Sequence, residues 1–251
     1  MPAPPGSLVH FDMLEQLIAG SSPHETDFEA FRVLAPTTVV IDIGANIGNS
    51  AISAFKVNPA LRVVSFEANA SLEPYLAKAS AYINASGGRH EFHLFGLGQV
   101  DGLRTMYVPR IDNWYVIGEG SLEIEHFDDP TVAARLSSYS RHGRWTLESG
   151  HVEVRNADAA LHALGLIDQP VLVKIDVEGF EDSVVEGLTG FIEAVHPGFM
   201  VEISENRRPN RALLERGYEP HVFDVTEQQF QPGFDEDNLN AFYFTLGSAW
   251  T

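Results

Sequence analysis

Apolar residues recur along this chain in two rhythms. Between residues 8 and 35 they fall at helical spacing, first Phe11, Leu14, Leu17 and Ile18, then Phe28, Phe31 and Leu34. Pro36 ends the stretch, so residues 1–36 read as an N-terminal helical segment packed on the domain, covering its sheet or part of a ligand pocket. From residue 37 to 251 short apolar runs alternate with amphipathic ones, as in one continuous domain. The pattern predicts strand 38–43, helix 47–57, strand 61–66, helix 70–84 and strand 90–95. After a long connection come helix 157–164, strand 171–175, helix 181–188, strand 198–203, helix 207–216 and strands 219–224 and 241–246. This alternation implies an α/β fold, a mostly parallel seven-stranded sheet with helices on both faces.

The connection after the third strand, about residues 99–156, interrupts the alternation. Links between a strand and a helix usually take about 2–6 residues, and a much longer one at the carboxyl end of a parallel strand is commonly functional. It holds one alternating segment (Arg104 to Val108), the aromatics Trp114, Tyr115 and Trp145, and three histidines, His126, His142 and His151. Here an acceptor substrate is expected to be read.

The first strand supplies the sharpest local signal. Val39-Val-Ile-Asp-Ile-Gly-Ala-Asn-Ile-Gly-Asn49 is an apolar run with an Asp that enters a glycine-spaced turn and then a helical pattern. That is the opening of a Rossmann-like βαβ unit, which presents a nucleotide-type ligand to a helix N-terminus. Glu67 ends the second apolar run, where a carboxylate can accept from both hydroxyls of a ribose. A dinucleotide fingerprint would require glycines at 44, 46 and 49, and this chain has Gly44, Asn46 and Asn49. Asn46 obstructs close approach to a pyrophosphate and Asp42 disfavours an anion. A ligand with cationic centres and a ribose fits better, and S-adenosylmethionine has both. NAD, or a close-packed turn with no ligand, are the readings it displaces.

Composition narrows the partners. The chain has 251 residues, 44% of them hydrophobic, enough for one sizeable core. Lys and Arg number 16 against 35 Asp and Glu, a net charge of −19, which repels nucleic acid and anionic membrane surfaces. No apolar run approaches the ~18 residues of a membrane span. The opening Met-Pro-Ala-Pro-Pro-Gly lacks the charged and apolar regions of a signal peptide. There is no cysteine, which excludes disulfides, thiolate metal sites and thiol nucleophiles and is compatible with the expected cytoplasmic location.

The second informative segment is Val171-Leu-Val-Lys-Ile-Asp-Val-Glu-Gly179, where Asp176 and Glu178 occupy a strand-to-helix turn beside Lys174. Asp176 there faces the methionine amino group or a metal and Glu178 faces the substrate, or both merely favour a helix N-terminus. Glu202 stands in an otherwise apolar strand and requires a partner or an open cleft. Asp176 and Glu202, from adjacent strand ends, offer oxygen ligands for Mg²⁺, which would assist hydroxyl deprotonation; direct hydrogen bonding is the alternative. For the general base we rank His142 first, in Arg141-His-Gly-Arg-Trp145, then His151 and His126. Trp145, with Trp114 and Tyr115, suits a sugar face, and Arg141 and Arg144 suit its hydroxyls. Ser121 caps a short helix or touches the cofactor.

Taken together, these motifs resemble the FkbM family of adenosylmethionine-dependent methyltransferases. The matching residues are Val40-Ile-Asp-Ile-Gly-Ala-Asn-Ile-Gly48, Ser65-Phe-Glu-Ala-Asn69, Lys174-Ile-Asp-Val-Glu-Gly-Phe-Glu181 and Met200-Val-Glu-Ile203. The Lys-Ile-Asp-Val-Glu-Gly segment is the specific one. The resemblance implies a class I methyltransferase fold and O-methylation, often of sugars, polyketides or other secondary metabolites. It implies that Asp42, Gly44, Asn46 and Gly48 surround the methionine part, Glu67 the ribose, and residues near Leu97 the adenine. With the neighbours of these positions, the expected cofactor set is Asp42, Gly44, Ala45, Asn46, Gly48, Asn49, Ser50, Glu67, Ala68, Leu97, Gly98 and Asp176. The expected acceptor is a small molecule or oligosaccharide, probed by transfer to a saccharide hydroxyl. A polyketide hydroxyl, an NAD-linked oxidoreductase and a non-catalytic nucleotide-binding module are the rival readings. Phe11, Phe28 and Phe31 offer either a homodimer contact or a cover for their own sheet.

Overall fold

A computed structural model describes residues 7–112, 114–140, 142–166, 168–203, 208–245 and 247, with side chains from residue 12 onward. Helix α1 (Ser7–Ala19) and a 3-10 run (Thr26–Val33) form the N-terminal segment. Then follow β1 (Val39–Ile43), α2 (Asn49–Val57), β2 (Arg62–Phe66), α3 (Glu73–Ala85) and β3 (Arg89–His93). The insertion supplies β4 (Gly96–Gly98), β5 (Gly102–Ile111), β6 (Trp114–Tyr115), α4 (Pro130–Tyr139) and β7 (Thr146–Asn156). The chain resumes with α5 (Ala157–His162), β8 (Val171–Ile175), α6 (Glu181–Gly187), α7 (Thr189–Val195), β9 (Gly198–Glu202) and α8 (Arg211–Leu214). It closes with β10 (Tyr218–Asp224), β11 (Gln229–Pro232) and β12 (Asn240–Thr245).

The main sheet runs β11-β10-β12-β9-β8-β1-β2-β3. Its β9-β8-β1-β2-β3 half is parallel, and β12, β10 and β11 join antiparallel. The sheet is therefore eight-stranded and mixed, not the mostly parallel seven-stranded sheet that the pattern predicts. The additional strand, β11, has Phe230 as its lone core-seeking residue amid Gln229, Gln231 and Pro232. Periodicity is faint there, and tertiary packing of Phe230 on Phe223, Phe242 and Phe244 (4.8–5.1 Å between centroids) makes the strand. The second departure is the insertion, which builds its own four-stranded sheet, β4-β7-β5-β6, around a long β5–β7 hairpin. Of the predicted helix 207–216, residue 207 lies outside the described residues and Arg211–Leu214 form α8; helix 181–188 is followed by a separate α7.

Helices cover both faces of the main sheet. One face packs Ile41, Ile43, Val173, Ile175 and Phe199 under α5 to α8; the other packs Val40, Leu172 and Met200 under α1, α2 and α3. Phe28 and Phe31 are fully buried in this second layer, so they cover their own sheet, while the side chain of Phe11 lies outside the described residues. Strands β1 and β8 are buried along their whole length, which is why they read as near-continuous apolar runs. Their exceptions, Asp42 and Lys174, are register partners on adjacent strands.

Candidate active site

The carboxyl ends of β1, β2, β8 and β9 open onto one cavity of about 270 Å³. Gly44 makes the floor possible. With φ +85°, it lies so close to the next strand end that a Cβ would fall 1.7 Å from the Asp176 carbonyl oxygen. Behind it Ala45, Asn46, Asn49 and Ser50 line one wall, and Phe66, Glu67, Ala68, Gly96 and Leu97 line another. The insertion contributes Met106, Ile117, Gly118, Gly120 and Leu122 as a roof, and the N-terminal segment contributes His24 and Glu25.

Glu67 is 6% exposed. Its Oε2 accepts from the Asn46 N–H (2.8 Å) and its Oε1 from the Asn69 N–H (2.7 Å). Burial outweighs those two bonds and raises its pKa to about 7. Each oxygen keeps a lone pair for a ligand hydroxyl. Asn46 is held at φ +50° with a buried Oδ1 that has no hydrogen-bond partner, so the turn presents an unused acceptor at the cavity wall.

Not every expected cofactor residue reaches the cavity. Asp42 is fully buried beneath the floor, where its Oδ2 accepts from Ser65 Oγ (2.9 Å) and its Oδ1 stands 3.9 Å from Lys174 Nζ. It is a counter-charge within the sheet, because side chains alternate along β1 and its neighbours Ile41 and Ile43 take the other face. Gly48 caps α2 at φ +92°, and a Cβ there would meet Ala79 at 2.8 Å, so it serves helix packing. Gly98 packs against Val154 and Phe180 behind Leu97.

Asp176, Glu178 and Glu202 converge at the other end of the cavity, each offering an oxygen within 4.8 Å of the others. Lys174 Nζ donates to Asp176 Oδ2 at 2.8 Å. Burial opposes the charge of Asp176, but Lys174 outweighs it and holds the carboxyl below its usual range. Burial, and then the charge of Asp176, push Glu202 well above the carboxylate range, and the two carboxyls share a hydrogen bond. Glu178 is pushed up by burial, then by Asp176 and Glu119. It sits at φ +52°, a left-handed conformation that costs a non-glycine residue roughly 1–3 kcal/mol and that clusters at functional sites. Oxygen donors of this type suit a hard divalent cation, and Asp176, Glu178 and Glu202 are the residues that would hold one.

The insertion sets the expected histidines and substrate-reading residues at different distances from the acids. His142 is exposed on the turn after α4, with its N–H donating to Ser140 Oγ, and it does not line the cavity. His151 is exposed on β7 opposite Thr105. His126 is the histidine brought to the acids: its Nε2 is 3.6 Å from Glu178 Oε2, and its ring lies over Gly179. Glu119 completes a second possible ligand group with His126 and Glu178, although Arg135 already grips it with two bonds of 2.7 Å. Trp114 is 48% exposed, Tyr115 donates to Glu148, Trp145 packs near Phe127, and Arg144 is exposed. The long hairpin carries them beyond Met106, its cavity-lining residue, toward its tip at Arg110 and Thr146. Arg141 lies outside the described residues. Ser121 turns its back on the cofactor side, donating to the Glu178 carbonyl (2.5 Å) and accepting from the Glu123 N–H. A second cavity of about 600 Å³ adjoins the acids, lined by Glu125, His126, Asp129, Glu178, Glu202 and the 208–211 segment.

Comparison with known proteins identifies the family. The model of the methyltransferase FkbM domain matches residues 42–234. The chain belongs to the FkbM methyltransferase family. It is 28% identical, over 86% of its length, to the AMB antimetabolite synthetase AmbE of Pseudomonas aeruginosa, and spans 11% of that protein. It is also similar to a crystal structure of Methyltransferase FkbM from Methylobacillus flagellatus KT, with 17% identity and a TM-score of 0.46 over 95% of this chain and 58% of that one. A precorrin-6y C5,15-methyltransferase from Geobacter metallireducens matches at 11% identity and a TM-score of 0.39, over 86% of this chain and 82% of that one. Among the described residues no helix is long and apolar enough to cross a membrane.

Proposed function

We propose that this member of the FkbM family is an S-adenosylmethionine-dependent O-methyltransferase acting on a hydroxyl of a small polar acceptor, with a saccharide as the leading class. The observation that carries the reading is the polarity of the cavity. Glu67 and the apolar Phe66, Ala68 and Leu97 occupy one end, as an adenosine requires, and three carboxyls occupy the other. Asn46 Oδ1, buried without a partner at this wall, fits a ligand with its own donors. When bound, the cofactor supplies an electrophilic methyl group on a positive sulfur.

The chain's own residues then have defined tasks. The acceptor enters through the larger acidic cavity, where carboxyl groups accept hydrogen bonds from several hydroxyls. Glu178 takes the hydroxyl proton as the new O–C bond forms. Its raised pKa makes it a stronger base than an ordinary carboxylate, and His126 stands beside it. Lys174 keeps Asp176 charged to orient the acceptor. Mg²⁺ held by Asp176 and Glu202 would lower the hydroxyl pKa while Glu178 stays free to take the proton. The test is transfer of labelled methyl from S-adenosylmethionine to mono- and oligosaccharides, with polyketide and amine acceptors alongside and with EDTA and Mg²⁺ arms. Labelled sugar with a base-stable ether supports the reading. Label confined to amines, or to no acceptor at all, overturns it.

A further inference from the structure

Two polar residues of the cavity, His24 and Glu25, come from outside the stretch that matches the family model, which begins at residue 42. Their positions are held from two sides and by each other. His24 Nδ1 is 2.7 Å from Ser53 Oγ on α2, and the His24 backbone N–H donates to the same oxygen at 3.0 Å. His24 Nε2 lies 3.3 Å from Glu25 Oε1. Glu25 Oε2 accepts from Asn240 Nδ2 at 3.0 Å, and Asn240 is the register partner of Glu202 on the neighbouring strand. The carboxylate of Glu25 is thus tied between a helix on one side and the β9–β12 edge on the other.

That position decides what it meets. A ribose at Glu67, at the end of β2, sends the remainder of its ligand across β1 toward β8 and β9. Glu25 waits at that far side. We infer that Glu25 is the site for the α-ammonium of the cofactor's amino-acid part, and that the N-terminal segment closes the methionine end of the cavity. Burial works against the charge of Glu25, but His24 and then Lys174 outweigh it and keep the carboxylate below its usual pKa, so it is ionised when the ammonium arrives. The assignment rests on the adenosylmethionine reading above, and the ligand pair below separates the two.

Isothermal titration of the native chain and of Glu25→Gln is made with S-adenosylhomocysteine and with 5′-methylthioadenosine, which has the nucleoside and sulfur but no amino-acid part. Gln keeps the size of the side chain and the oxygen that Asn240 reaches. The expected result is a loss of about 10-fold or more in S-adenosylhomocysteine affinity with 5′-methylthioadenosine unchanged, as for one charge-assisted hydrogen bond. An unchanged S-adenosylhomocysteine affinity overturns the assignment, as does an equal loss for both ligands, which would make Glu25 a support of the fold or a contact of the nucleoside. If the native chain binds neither ligand, the cofactor reading itself falls.

Discussion

Lys174 and Asp176 stand two residues apart at the end of β8, with the Lys174 ammonium 1% exposed and 2.8 Å from an Asp176 oxygen that opens onto the cavity. On its other side the same ammonium faces Asp42, 3.9 Å away and fully buried. One cation thus answers two carboxylates, one buried below the floor and one that opens onto the cavity. Asp176 and Asp42 together hold the ammonium well above its usual pKa, overcoming burial.

Removing that cation leaves the fully buried Asp42 and the partly exposed Asp176 without it. Lys174→Met is expected to destabilise the fold by about 3–5 kcal/mol, the cost of breaking a buried pair by one partner. Adding Asp42→Asn is expected to recover part of the loss, since the second charge no longer needs an answer. Urea denaturation of the two single variants and the double variant measures both effects. Additive losses would show that Asp42 and Lys174 do not act as a pair.

Glu67 makes stability depend on pH. Its carboxyl titrates at about 7 in the fold against 4.5 when free, so the folded state holds the extra proton between those values. The resulting stabilisation is complete below pH 4.5 and is lost as pH rises through about 7. Glu67→Gln should flatten the fall in melting temperature across that window and weaken S-adenosylhomocysteine binding by about 10-fold or more. A Glu67→Gln profile parallel to the native one would assign the slope to other groups.

Much of this architecture is legible in the residues. Asp42-Ile-Gly-Ala-Asn46, Glu67 and Lys174-Ile-Asp-Val-Glu178 mark three strand ends, and the topology brings those ends to one cavity. Side-chain direction is harder to read. Asp42 looks like a ligand residue because it precedes the turn, yet one step of strand alternation turns it under the sheet. The insertion is hardest. Its composition marks Trp114, His142 and Trp145, but a hairpin as long as β5–β7 carries such residues to its tip, and no local signal in the sequence reports hairpin length. His24 and Glu25 carry no motif at all; their role depends on Ser53 and Asn240, the latter 215 residues from Glu25.

Glu178 combines an unfavourable backbone with a displaced pKa, and a substitution can separate the two. Asn tolerates the left-handed region better than most residues and does not titrate. Glu178→Asn is therefore expected to keep the melting temperature and S-adenosylhomocysteine binding near native values while turnover falls by about 100-fold or more. The rise of native turnover with pH, set by a carboxyl above its usual range, should vanish in the residual activity. A variant that keeps both rate and pH limb would remove Glu178 from proton transfer.

Two histidines of the insertion make opposite claims. His126 approaches Glu178 at 3.6 Å beside the acidic cavity, whereas His142 stands exposed on a turn. His142→Ala should leave methyl transfer within about twofold of native, because an exposed turn substitution away from the site changes little. His126→Gln should reduce turnover by about 10-fold or more, since the proposed base loses the neighbour 3.6 Å away that borders the acceptor cavity. Comparing kcat with KM decides how His126 acts. A loss confined to kcat fits a role in proton transfer, while a loss confined to KM makes His126 a wall of the acceptor cavity, where its ring lies over Gly179. Loss of activity in His142→Ala with His126→Gln unimpaired would restore the tip of the hairpin as the site of the base, and would require the insertion to fold back over the cavity when substrate binds.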